Sequence, residues 1–366
     1  MPTPDLLQRP ADVTSEWLSR VLARAGALRD GARITGFDAV PVGTGQMADT
    51  VRFALTYDRP GGGPDAVVGK FASADEQSRA TGLALRAYEI EVRFYREVAP
   101  RVAARVPAMV LAEVDPSTGW FTLLMEDIGG ARQGDQIEAC SPEVATAVLE
   151  EMAGLHAPCW EAPDLASLEW LNRNTAQTEQ LLSMLVASLL PGFLERYADA
   201  LAPEHRRVCE VFANNITAWV RGRHGPPTAV HGDFRLDNLL FQPGEPRPVV
   251  VDWQTLAWGT CAADVAYFVG GCLTVEDRRA YEDDLLVRYH GALSRRGVAG
   301  FSLGDLRASC RHETFAGVLM AIVASMVVQR TERGDLMFLT STARHAQHVL
   351  DAGALDLLAG TGAGSG

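Results

Sequence analysis

Between Val230 and Trp253 the chain sets down a histidine, a glycine, a carboxylate, an amide and a second carboxylate in an order that few folds can use. Val230-His231-Gly232-Asp233-Phe234-Arg235-Leu236-Asp237-Asn238 reads as a loop. Two short apolar runs follow, Leu239-Leu240-Phe241 and Val249-Val250-Val251, separated by a Pro/Gly turn, and they predict a β-hairpin that ends at Asp252-Trp253. A hairpin brings the residue before its first strand towards the residue after its second. Asn238 and Asp252 are therefore expected together, with Asp233 at the loop tip. Two carboxylates and an amide form a hard oxygen set that suits Mg²⁺. A turn at HGD and an unrelated helix cap at Asp252 would explain either residue alone, but not both in order with apolar strands between them.

Upstream, the pattern divides the chain. A helix is expected over 14–26, with Thr14 or Ser15 as cap and Trp17, Leu18, Val21, Leu22 and Ala25 on one face. From 34 to 71 the pattern is β: a segment before Gly43, then 51–57, a turn at 59–64, and 66–71. Residues 83–98 return to helical spacing, with Ala87, Ile90, Phe94, Tyr95 and Val98 as the stripe and Pro100 as the stop. Strands at 107–113 and 120–126 flank a turn, and 127–130 reads as a crossover. Helices dominate from Ser141-Pro142-Glu143 onward, where serine caps and proline takes the first helical position, and they recur at 204–221, 276–294, 303–330 and 336–350. The expected fold class is α+β, with an antiparallel five-stranded sheet and one main helix in the N-terminal part and a mainly helical C-terminal part that carries the hairpin.

The HGDxxxxN motif with its later aspartate resembles the aminoglycoside phosphotransferase and choline kinase superfamily, most closely its ecdysteroid-kinase-like branch, over most of the chain. The resemblance implies a protein-kinase-like two-lobed fold, with a nucleotide-binding lobe over 1–128 and a catalytic and substrate lobe over 129–360. It implies ATP- and Mg²⁺-dependent transfer of the γ-phosphate to a hydroxyl of a small molecule. Asp233 is implied as the catalytic base or hydroxyl-orienting residue, His231 as a brace of the loop, Asn238 as a catalytic residue and Mg²⁺ ligand, and Asp252 as the principal Mg²⁺ ligand. Lys70, ending Val67-Val68-Gly69-Lys70-Phe71, takes the place of the lysine that holds the α- and β-phosphates. Glu91 lies three residues before Phe94 and four before Tyr95, so it shares their inward stripe, whereas Glu89 points away. A charge there is costly unless paired, and Lys70 is the available cation. Between two β-segments, Gly43, Gly45 and Gln46 are expected in a phosphate-covering loop, with Ala48 where a third glycine would stand. Met125-Glu126-Asp127-Ile128 resembles the hinge, so the backbone of Glu126 and Ile128 is expected at the adenine edge. His156 is expected to be structural, and Asp264 to cap a helix and steady the catalytic loop.

Composition narrows the function. A formal net charge of -13 without a basic patch argues against a nucleic-acid partner. Six cysteines without a CxxC pair read as reduced thiols. The N-terminus shows no basic region followed by an apolar run, and 315–328 is too short to span a bilayer and reads as a buried helix, so no membrane association and a cytoplasmic location are expected. A catalytically inactive nucleotide-binding module would lack the lysine, base or metal ligand, and none is missing. A protein kinase would carry arginine where Gly232 stands and DFG where Asp252-Trp253-Gln254 stands. Asp135 and Glu138, or the acidic run at 276–284, could face a cationic acceptor, and a solvated helix face explains the run equally well.

Overall fold

The computed structural model of the chain describes residues 5–29, 31–43, 47–173 and 175–359 and divides into two compact units. The first comprises the chain up to Pro100 with Val106–Ala131 and Val251–Thr255. The second comprises Arg101–Arg105, Arg132–Val250 and the chain from Leu256.

In the first unit, Thr14 Oγ1 accepts from the Trp17 N–H at 3.1 Å and starts α1 (Ser15–Arg24). Five antiparallel strands follow: β1 (Ile34–Pro41), β2 (Ala48–Tyr57), β3 (Ala66–Ala72), β4 (Met109–Val114) and β5 (Phe121–Glu126), in the order β1-β2-β3-β5-β4. Side chains alternate along a strand. Val51, Phe53, Val67 and Phe71 therefore face one way and close a core with Trp17, Leu18, Val21 and Leu22 of α1. Arg52, Val68 and Lys70 face the other way, with Arg52 opposite Val68 and Val68 opposite Met125.

The single helix expected over 83–98 is instead broken. α2 (Glu76–Ala84) ends before Arg86, which adopts φ +57°, and α3 (Ala87–Arg93) continues as a π-helical turn through Phe94–Val98. The break lets the Tyr88 ring pack over Gly82, where a Cβ would come within 2.4 Å, and stack on Phe121 at 4.6 Å.

In the second unit, Ser141 caps a helix over Pro142–His156 with proline at its start. The expected helix at 204–221 is two, Pro203–Asn214 and Ile216–Gly222, because Asn215 turns its amide back onto the Val211 carbonyl at 2.8 Å. That at 303–330 is also two, Leu303–Glu313 and Phe315–Val327. Taken as one run, Leu303–Val327 is long and apolar enough to cross a membrane by length and composition, and 56% of its most apolar 18-residue window is buried within the protein. Phe193, Phe212, Trp219, Phe315, Val318, Ile322 and Val349 belong to one buried apolar cluster of this unit. The predicted hairpin is present, Leu239–Phe241 against Val249–Val250, and Arg132–Gln133 adds a third strand.

Helix Phe315–Val327 packs on helix Glu332–Asp351 through Gly317, where a Cβ would fall 2.1 Å from the His345 ring. Gly317→Ala should therefore cost about 1–3 kcal/mol of stability by overpacking. Urea unfolding at neutral pH measures it, and an unchanged midpoint would show that His345 yields freely.

Candidate active site

β3 delivers Lys70 and α3 delivers Glu91 to one point of the first unit. Lys70 Nζ lies 2.6 and 2.7 Å from the two Glu91 carboxylate oxygens and 3.0 Å from Asp252 Oδ1. The pair expected from the helical stripe is thus formed, and Glu89 turns instead to Arg86 and Arg93. Asp252 reaches Lys70 because Trp253 is buried and stacks on Phe94 at 3.7 Å, while Gln254 Nε2 donates to Asp252 Oδ2 at 3.2 Å. Asp252 itself adopts φ +68°, a region that aspartate tolerates better than most residues.

Burial works against the Lys70 ammonium, but the charges of Asp252 and Glu91 outweigh it and raise its pKa. Glu91 is pushed up by burial and by the like charge of Asp252, against the pull of Lys70. One ammonium facing two carboxylates leaves a net negative charge, which is an environment for a divalent cation.

Of the phosphate-covering loop, Gly43 adopts φ +78°, which favours glycine, and Gly45 and Gln46 lie outside the described residues. At the expected hinge the Glu126 N–H is committed to the Ala108 carbonyl at 2.8 Å, and the Ile128 carbonyl accepts from the Ala131 N–H at 3.1 Å. The Ile128 N–H has no partner among the described residues.

In the second unit, Gly232 turns the catalytic-motif loop at φ +81° and so points two successive N–H groups inward. Asp264 accepts both, from His231 at 2.7 Å and from Gly232 at 2.8 Å, and also meets His156 Nε2 at 3.1 Å. Behind it, His156 Nδ1 lies 2.6 Å from the Tyr289 hydroxyl. Burial raises the Asp264 pKa, but the His156 hydrogen bond and the histidine charges overcome it and hold it below the ordinary carboxylate range. The cap expected of Asp264 is not made, since its helix, Ala262–Cys272, begins at Cys261 without a side-chain cap. The two backbone donors of the loop occupy the carboxylate instead. His231 is fully buried, and its Nδ1 accepts from the Asp233 N–H at 3.3 Å.

The Asp233 carboxylate is fixed at both oxygens. Tyr267 donates to Oδ1 at 2.8 Å, and Arg235 Nε and Asn238 Nδ2 donate to Oδ2 at 3.1 and 3.0 Å. Asn238 Nδ2 also reaches the Asp233 carbonyl at 2.9 Å, so its amide nitrogen serves the loop and its side-chain oxygen is the atom suited to a metal. Asn238 belongs to the second unit and Asp252 to the first, and each is placed here within its own unit. Burial and the Asp233 charge push the Tyr267 phenol well above its ordinary pKa, which keeps it a donor. Its ring stacks on His345 at 5.2 Å. Tyr267 and Arg235 were not anticipated as site residues. For Tyr267 the signal was its position three residues after Asp264, on the same helix face.

Two outcomes follow from these contacts. Asp264→Asn places an NH₂ against one of two backbone donors, and the loss of the buried charge partner should cost about 3–5 kcal/mol in denaturant unfolding. A cost under 1 kcal/mol would remove Asp264 as the loop's anchor. Lys70→Ala and Glu91→Ala should each destabilise, and the double variant should cost less than the sum by about 0.5–3 kcal/mol. Strict additivity would show that the pair contributes nothing.

The model of the phosphotransferase enzyme family matches residues 52–301, more than half of the chain. Among solved structures, choline kinase from Cryptosporidium parvum superposes with a TM-score of 0.56 at 10% identity, covering 93% of this chain and 98% of that one. The gentamicin complex of APH(2″)-IIa superposes with a TM-score of 0.50 at 17% identity, covering 92% and 99%. A probable acyl-CoA dehydrogenase of Arabidopsis thaliana, IBR3, is 51% identical over 39 residues, which is 10% of this chain and 5% of that protein. The curated relatives are thus matched over a small fraction of their length, whereas the kinase-like fold is shared nearly end to end. On the strength of the family match, the chain belongs to the phosphotransferase enzyme family.

Proposed function

We propose that the protein transfers the γ-phosphate of ATP, with Mg²⁺, to a hydroxyl of a small molecule. The observation that carries this reading is the Asp233 carboxylate, held at both oxygens by Tyr267, Arg235 and Asn238 on a loop whose backbone is anchored by Asp264. Such a carboxylate is suited to orient an acceptor hydroxyl and to take its proton, because phosphoryl transfer asks mainly for positioning and charge stabilisation. Lys70 is suited to the phosphates, with Glu91 holding its ammonium in place. Asp252 and the side-chain oxygen of Asn238 fit Mg²⁺ as hard oxygen donors, the first beside a net negative cluster. When bound, Mg²⁺ would neutralise phosphate charge. His231 acts from behind as a brace.

A small acceptor is supported by the short path from Asp252 to helix Ala262–Cys272. Residues 253–261 include the strand Ala257–Thr260, which pairs with Pro227–Val230, so no long segment exists there on which a peptide could lie. Aminoglycoside-, choline- and ecdysteroid-like hydroxyl compounds fit this reading. A wholly acidic cation pocket is not favoured, since Asp135 pairs with Arg333, Glu282 with Arg278, and Asp283 with Arg307.

The test is transfer from γ-labelled ATP with Mg²⁺ to a library of small hydroxyl compounds. Wild-type protein should label at least one, and Asp233→Asn should lower that turnover by roughly 10² to 10⁴ while ATP binding persists. Labelling of peptides alone, or full turnover in Asp233→Asn, would overturn the assignment.

A further inference from the structure

The sheet face that carries Lys70 carries a second cation. Arg52 of β2 stands opposite Val68, and Val68 opposite Met125. Its side chain therefore emerges beside Val68, two residues or about 6.5 Å along β3 from Lys70, towards the exit of β5. There Arg52 Nε donates to Asp127 Oδ2 at 2.9 Å. Neither Nη group has a partner among the described residues.

A surface arginine ordinarily turns freely in water. This one is held edge-on by a carboxylate whose side chain is only 16% exposed, while the guanidinium side chain keeps 39% of its own surface open. The neighbours on its face, Val68 and Met125, are apolar. The first unit thus offers, on a single face, an ammonium suited to phosphates and, a short step away, a planar cation that is more than a third exposed, beside the apolar Val68 and Met125. That spacing and chemistry fit a polyphosphate joined to a flat aromatic ring.

We propose that Arg52 is a nucleobase-binding residue, its guanidinium lying against the purine ring of the nucleotide whose phosphates Lys70 holds. The proposal rests on the nucleotide reading above. Guanidinium is planar, delocalised and weakly hydrated, and it stacks on aromatic faces where an ammonium does not. Asp127 fixes its plane in advance, so little freedom is lost when the base arrives. The side chain would thereby select nucleotides by the ring rather than by the phosphate chain.

The test is calorimetric titration with ATP and, separately, with inorganic tripolyphosphate, both with Mg²⁺, on wild-type protein, Arg52→Leu and Arg52→Lys. Arg52→Leu should bind ATP roughly three- to thirty-fold more weakly, the range of a cation over an aromatic face. It should bind tripolyphosphate within about twofold of wild type, which also shows that the variant is folded. Arg52→Lys keeps the charge without the plane and should weaken ATP as Leu does. Equal losses for both ligands would make Arg52 a phosphate residue, and unchanged ATP affinity in Arg52→Leu would leave only a surface ion pair. Either overturns the proposal. Wild-type protein that binds neither ligand would instead remove the nucleotide reading on which it stands.

Discussion

The first unit depends on the sharing of one ammonium between two carboxylates. Glu91 has almost no exposed surface and Lys70 little, so both have given up hydration. Either alone would be costly, since an unpaired buried charge loses more than a pair gains. The pairing fixes α3 against β3, because Glu91 can reach Lys70 only from that helix face. Adding Asp252, which lies in the segment Val251–Thr255 of the same unit, makes the set negative. A cluster with this charge is a poor host for bare phosphate and a good one for phosphate accompanied by a divalent cation. The electrostatics therefore tie the lysine and the metal-suited carboxylate into one functional group.

The second unit solves a different problem. A loop turned by a glycine at positive φ directs neighbouring N–H groups to one side, and buried donors of this kind must be satisfied. Asp264 satisfies both and is itself steadied by His156 and Tyr289. One turn further along the same helix, Tyr267 fixes the Asp233 side chain. A single helix face thus sets the backbone of the loop and the orientation of its carboxylate. Hydrogen bonds made at these two levels are coupled, because displacing helix Ala262–Cys272 would disturb both.

Much of this was legible in the sequence. The five strands and the hairpin followed from β-patterned runs and turn residues, the leading helix from its cap and one-sided apolar stripe, and the Lys70–Glu91 contact from a charge in an apolar stripe. What escaped was set by tertiary packing. The break at Arg86 answers to the Tyr88 ring over Gly82, a contact between residues that helical periodicity alone treats as one continuous face. The helix Ala176–Arg196 carries leucines on both its buried and exposed sides and a proline within it, so no stripe announces it. Arg235 and Tyr267 escaped because nothing in a polar loop or an apolar helix says which partner a side chain will find until the chain is folded.

The conformation of Asp252 shows how the chain holds a chemically useful side chain in an unfavourable backbone. A left-handed residue other than glycine costs about 1–2 kcal/mol. Glycine would avoid that cost, as at Gly232, but would remove the carboxylate. The next residue supplies the compensation. Trp253 is fully buried and stacks on Phe94, and burying an aromatic side chain of roughly 200 Å² is worth about 5 kcal/mol by area. Even after allowance for a compact unfolded chain, that exceeds the strain. The place of Asp252 is therefore set by aromatic burial one residue on, and it does not hinge on the charge that its carboxylate meets.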